Sequence, residues 1–107
     1  MSLRIEWTRA ALQSLSDVFE YTYEYFGTQQ LLKLRHEISS TTRMLTTFPH
    51  AGKVEEEYAE ILGIEYRSIV VIREIKLFYT VADETVCIEY MKDTRQADST
   101  VIRQLSY

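Results

Sequence analysis

Three basic residues stand out by type and spacing: Arg67, Lys76 and Arg95. The stretch that holds them, EYRSIVVIREIKLFYTVADETVCIEYMKDTR (65–95), is apolar and alternating, and short polar pairs interrupt it. That pattern predicts three consecutive strands joined by tight turns, with one cation on each strand or at its end. Fixed cations on a small sheet give a place to hold a phosphate or an acidic partner. Other chemistries lack their residues. The single cysteine, Cys87, excludes an intrachain disulfide and a cysteine-based zinc site, and His36 and His50 give no metal signature. No Gly-rich phosphate loop and no nucleophile elbow is present. We therefore expect no cofactor, no metal and no small-molecule substrate. Cys87 lies in the apolar run VCIEY and reads as a buried, inert thiol.

The elements that must position these cations can be read from hydropathy periods. Leu3, Ile5 and Trp7 alternate with polar residues, so 3–7 reads as a first strand with Trp7 in the core. Thr8 is placed to cap the next helix. From Arg9 to Phe26, Leu12, Leu15, Val18, Phe19, Thr22, Tyr25 and Phe26 step by three and four along one helical stripe, which predicts that Tyr25 packs. Gly27 suits the end of that helix. Thr28 restarts a second helix through Leu31, Leu34, Ile38, Thr41, Leu45 and Phe48, stopped by Pro49. Two helices so joined form a hairpin. The acidic stretch 50–60, with Glu55, Glu56 and Glu57 in a row, reads as a solvated loop. Strands are expected over 61–72 (with Gly63 a bulge), 75–82 and 85–92, with turns at Arg73-Glu74 and Asp83-Glu84. A short helix over 99–105 closes the order. We expect an α+β fold: a helical hairpin on one face of a small antiparallel sheet, β-α-α-β-β-β, with the other face open to a ligand or partner.

The 107 residues fit one domain, 1–107, with one core. Sixteen acidic against twelve basic residues give a net charge of −4, which argues against a general nucleic-acid binder. With 3 Gly and 1 Pro, long linkers are not expected. No secretory leader pattern and no apolar run of membrane-spanning length is seen, so the chain reads as cytoplasmic, without a membrane partner.

Taken in order, these residues resemble the ParE/RelE toxin superfamily, the plasmid-stabilisation type of toxin from type II toxin–antitoxin systems. The resemblance rests on IEWT at the start, Ala10-Ala11 in the first helix, FPHAG at 48–52, EYRSIVV at 65–71, and Tyr79, Val81 and Asp83 within the hairpin. It implies a RelE/ParE-like fold and a cognate antitoxin as partner. It also implies one of two activities. ParE-like members bind and poison DNA gyrase without catalysis; RelE-like members cut mRNA on the ribosome. Cutting by 2′-OH attack needs a base, cations for the charged phosphorane and an acid for the leaving oxygen. The resemblance assigns Arg67, Lys76 and Arg95 to the cationic set, with Tyr107 as an acid. Lys76 stands where an arginine is favoured, which keeps the charge and loses the bidentate fork. Asp93 stands where nuclease members carry histidine, and Glu55, Glu56, Glu57 and Glu60 would repel ribosomal RNA. The balance favours gyrase inhibition, with ribosome-dependent mRNA cleavage as the alternative.

Overall fold

The computed structural model describes residues 2–94 and 98–106. Strand β1 is Arg4–Trp7. Thr8 caps helix α1 (Arg9–Thr47), its hydroxyl oxygen accepting from the Ala11 N–H at 3.0 Å. A straight helix of 39 residues would run about 58 Å, yet the longest dimension of the molecule is 37 Å. The helix therefore folds back, and it does so at one residue. Gly27, at φ +85° and ψ −178°, breaks α1 into two arms, 9–26 and 28–47. That backbone conformation is open essentially to glycine alone. The Leu3 N–H donates to the Thr46 carbonyl at 3.0 Å, so the second arm returns to the start of the chain. The expected hairpin is present, with its linker reduced to a single residue.

Five strands form one sheet in the order β1-β5-β4-β3-β2, with β2 at Lys53–Val54, β3 at Arg67–Ile72, β4 at Ile75–Ala82 and β5 at Thr85–Asp93. β1 runs parallel to β5 and the other pairings are antiparallel, so the sheet is mixed. Two stretches differ from the sequence expectation. The stretch 50–60 is not a loop: it supplies β2 and the start of helix α2 (Glu56–Leu62). Ile61 and Leu62 belong to that helix and not to a strand, and Gly63 is its left-handed cap (φ +73°), not a bulge. The β3–β4 and β4–β5 turns fall where expected, and a final helix, α3, spans Asp98–Leu105.

Both faces of the sheet are covered. On one, the α1 arms lay Ala11, Leu34, Ile38 and Leu45 over Leu77, Tyr79, Val86, Ile88 and Met91, with Trp7 packed at the margin. On the other, Tyr58 of α2 and Val101 of α3 meet Tyr66, Phe78 and Tyr90. The open face expected from the sequence is thus partly roofed by two short helices. Burial of each large apolar side chain here contributes about 1.5–3 kcal/mol.

A bulge sets which β5 residue faces which cover. Phe78 pairs with Tyr90 but Tyr79 pairs with Ile88, so Glu89 is the extra residue. Past it, Met91 joins the α1 face and Tyr90 the opposite one. The Met91 N–H donates to Ser14 Oγ at 2.9 Å, tying α1 to the strand.

Candidate functional site

Arg67 opens β3 and pairs in register with Tyr79, on the α1 face. Its Nη1 donates to the carbonyls of Gly52 (2.8 Å) and His50 (3.3 Å), and Nη2 lies 3.9 Å from Glu65. Its Nε is buried with no hydrogen-bond partner among the described residues. Tyr79, fully buried, works on the same segment: its hydroxyl donates to the Pro49 carbonyl (2.7 Å) and accepts from the Gly52 N–H (2.8 Å). Burial raises the Tyr79 pKa, and the Gly52 N–H and the Arg67 charge oppose that rise. Gly52 is required here by close approach. A Cβ on it would sit 2.7 Å from both the Ser68 carbonyl oxygen and the Tyr79 hydroxyl. Arg67 and Tyr79 together pin 49–52 to the sheet.

Lys76 is on the other face. It pairs in register with Val70 on one side and Lys92 on the other. Lys76 Nζ lies 3.5 Å from Glu55 Oε2, which also accepts from the Ser68 hydroxyl and is 3.9 Å from Lys53. Lys92 Nζ is 2.5 Å from Asp98 Oδ1, which accepts from the Tyr58 hydroxyl at 2.8 Å. Lys92 and Tyr58 hold the Asp98 carboxyl below its ordinary range, against a smaller desolvation effect. Burial, then the bond to Asp98, pushes the Tyr58 hydroxyl up.

The structure therefore does not bring the sequence-predicted cations together. Arg67 and Lys76 project from opposite faces of the sheet, and each already has carboxylate or carbonyl partners. Arg95 and Tyr107 lie outside the described residues. Lys92, which faces Lys76, was not singled out by sequence. Nor was the role of Glu55, which is half-buried and bonded where a solvated loop was expected. Among the described residues no group of three or more His, Cys, Asp or Glu is placed to hold a metal ion. Cys87 is half-buried, and burial with Glu89 close by pushes its thiol up to about 11.

A second feature runs along the hairpin. A groove of about 330 Å³ opens between the first α1 arm and the ends of β4 and β5, lined by Ser14, Asp17, Val18, Tyr21, Ile75, Tyr90, Met91 and Asp93. It continues past Phe26 and Leu34 toward the β3–β4 turn. Phe26, in its lining, is exposed, and Tyr25 lies against the Tyr21 ring (centroids 4.7 Å) but stays 65% exposed, outside the core where its helical spacing placed it. A groove with exposed aromatic residues in its lining is characteristic of a protein-binding site.

The family model described as the ParE toxin of type II toxin–antitoxin system, parDE, matches residues 5–97. The chain belongs to the ParE toxin family. Among solved structures, a chain of the chromosomal ParDE toxin–antitoxin system from P. aeruginosa superposes with a TM-score of 0.69 at 18% identity. The match covers 88% of this chain and 98% of that one, and at this identity it speaks to the fold alone. No protein of curated function matches the sequence. As a toxin of this family, the chain has an antitoxin as its expected partner. No described helix of this ParE-family chain is long and apolar enough to cross a membrane.

Proposed function

We propose that this ParE-family toxin acts by inhibiting DNA gyrase and is neutralised by a cognate antitoxin. The observation that carries this reading is the separation of Arg67 from Lys76 on opposite faces of the sheet. Phosphoryl-transfer chemistry needs preorganised donors converging on one phosphate. Inhibition by binding needs only a complementary surface, and a net charge of −4 is no obstacle to that. The groove along the hairpin suits an antitoxin segment that folds as it docks, with apolar side chains over Val18, Tyr21 and Ile75. A cytoplasmic setting fits both partners.

The direct test is a supercoiling assay with purified gyrase, relaxed plasmid and the isolated chain. Supercoiling should fall in proportion to added toxin and recover when antitoxin is added. Unimpaired gyrase at a large molar excess of toxin would remove the proposal. A second reading, ribosome-dependent mRNA cleavage, draws on the Lys76–Lys92 pair, which does place two cations on one face. Under it, Lys76→Met or Lys92→Met abolishes cleavage in a translating extract and leaves antitoxin binding intact.

A further inference from the structure

Lys76 and Lys92 are register partners on one face of an antiparallel pair, and their side chains are only 20% and 10% exposed. Like charges directly opposite each other destabilise a sheet, and lysine is almost never buried unless paired. The register neighbours of Lys76, which are Val70 and Lys92, offer no compensation. It comes from two carboxylates on the elements laid over this face: Glu55, just before α2, and Asp98, the first residue of α3.

The two carboxylates are not equivalent. The Glu55 side chain is 17% exposed and has Lys53, Ser68 and Lys76 around one oxygen. The Asp98 side chain is 51% exposed and opens a helix of eight residues. A helix that short does not persist alone in water, so α3 holds its shape only while docked. Its docking rests on buried Val101, with Ile102 and Leu105 packed beside it against the Tyr58, Tyr66, Phe78 and Tyr90 layer. Such an element opens at a lower free energy than the strands beneath it. When it opens, the Lys92 ammonium and the Tyr58 hydroxyl lose their common acceptor. Lys76 keeps Glu55, and the Lys92 ammonium, only 10% exposed, is left without its carboxylate.

We propose that Lys76 and Lys92 form an anion site which Asp98 fills while α3 is docked, and that a phosphate group takes its place when α3 lifts. A phosphate supplies several strong acceptor oxygens where one Asp98 oxygen serves both Lys92 and Tyr58, which suits two ammonium groups and a phenol. α3 is then a strap that keeps the site closed in the resting chain.

The test uses the full chain and two probes, pyrophosphate and an eight-nucleotide single-stranded RNA. Asp98→Asn removes the internal anion. Val101→Ser loosens α3 without touching a charge, and its α3 amides should exchange faster. Both variants should bind phosphate at least tenfold more tightly than the parent chain. Adding Lys92→Met to either should return binding to the parental level. A gain for RNA alone identifies a nucleic-acid backbone as the source, and an equal gain for pyrophosphate identifies free phosphate. The proposal falls if neither variant gains affinity for either probe, or if the gain survives Lys92→Met.

Discussion

Replacing Tyr79 by phenylalanine removes one oxygen atom and two hydrogen bonds. The hydroxyl accepts from the Gly52 N–H at 2.8 Å and donates to the Pro49 carbonyl at 2.7 Å. Gly52 is buried, so its N–H is left without a partner, at a cost of about 1–3 kcal/mol. The Pro49 carbonyl is half-buried and regains water, which limits its loss to about 0.5–1 kcal/mol. Tyr79→Phe should therefore lose about 1.5–4 kcal/mol, a drop in Tm of roughly 6–16 °C at about 4 °C per kcal/mol for a domain of this size. Urea unfolding followed by circular dichroism measures it, with the slope m unchanged. Gly52→Ala supplies an internal check. Its Cβ meets the Tyr79 hydroxyl and the Ser68 carbonyl at 2.7 Å each, so part of its cost disappears when Tyr79 is already phenylalanine. A Tyr79→Phe loss under about 0.5 kcal/mol, or strict additivity with Gly52→Ala, refutes the pin at 49–52.

Three further outcomes follow from the same structure. Gly27→Ala meets no atom within 4 Å and pays only for its backbone conformation, so it should cost about 1–3 kcal/mol by urea unfolding; a neutral result contradicts the single-residue hairpin. The Asp98 carboxyl is held below its unfolded value of 3.8, so its contribution to α3 docking is full above that pH and is lost as pH falls through the lower folded value. Hydrogen exchange of the α3 amides between pH 5 and 2.5 should show that loss, and Asp98→Asn should abolish the trend. The Cys87 thiol, raised from 9.0 to about 11, should be alkylated by iodoacetamide at pH 8 about a hundredfold more slowly than a free thiol of ordinary pKa; equal rates contradict its buried setting.

How much of this was legible in the sequence depended on whether local pattern or distant contact set each feature. Thr8, Gly27, Pro49 and the alternation of Ile75, Leu77, Tyr79 and Val81 act locally, and each marked its element correctly. The acidic run 55–57 misled because Glu55 is held by Ser68 and Lys76, distant in sequence, and no period in the run announces that. Ile61, Leu62 and Gly63 were read as strand because a helix ending in a left-handed glycine and a strand with a bulge share that pattern. Tyr25 sits on the apolar stripe of its arm, but its ring rests on Tyr21 and remains 65% exposed, a contact that spacing alone does not distinguish from core packing. The Lys76–Lys92 pairing was hidden by one residue. Counting back from the Ala82–Thr85 turn pair places Met91 opposite Lys76, and only the bulge at Glu89 moves Lys92 there. Arg67 was recognised as a special cation, but its partners are the carbonyls of a loop that only the fold brings within reach.

The claim that matters most is the target of the toxin. The measurement is incorporation of labelled thymidine and leucine, followed in parallel over the first minutes after the chain is induced in bacteria lacking the antitoxin. Gyrase inhibition predicts that thymidine incorporation falls first, with leucine incorporation following later. Leucine incorporation falling first, with DNA synthesis still running, would contradict the account and place the target at the ribosome.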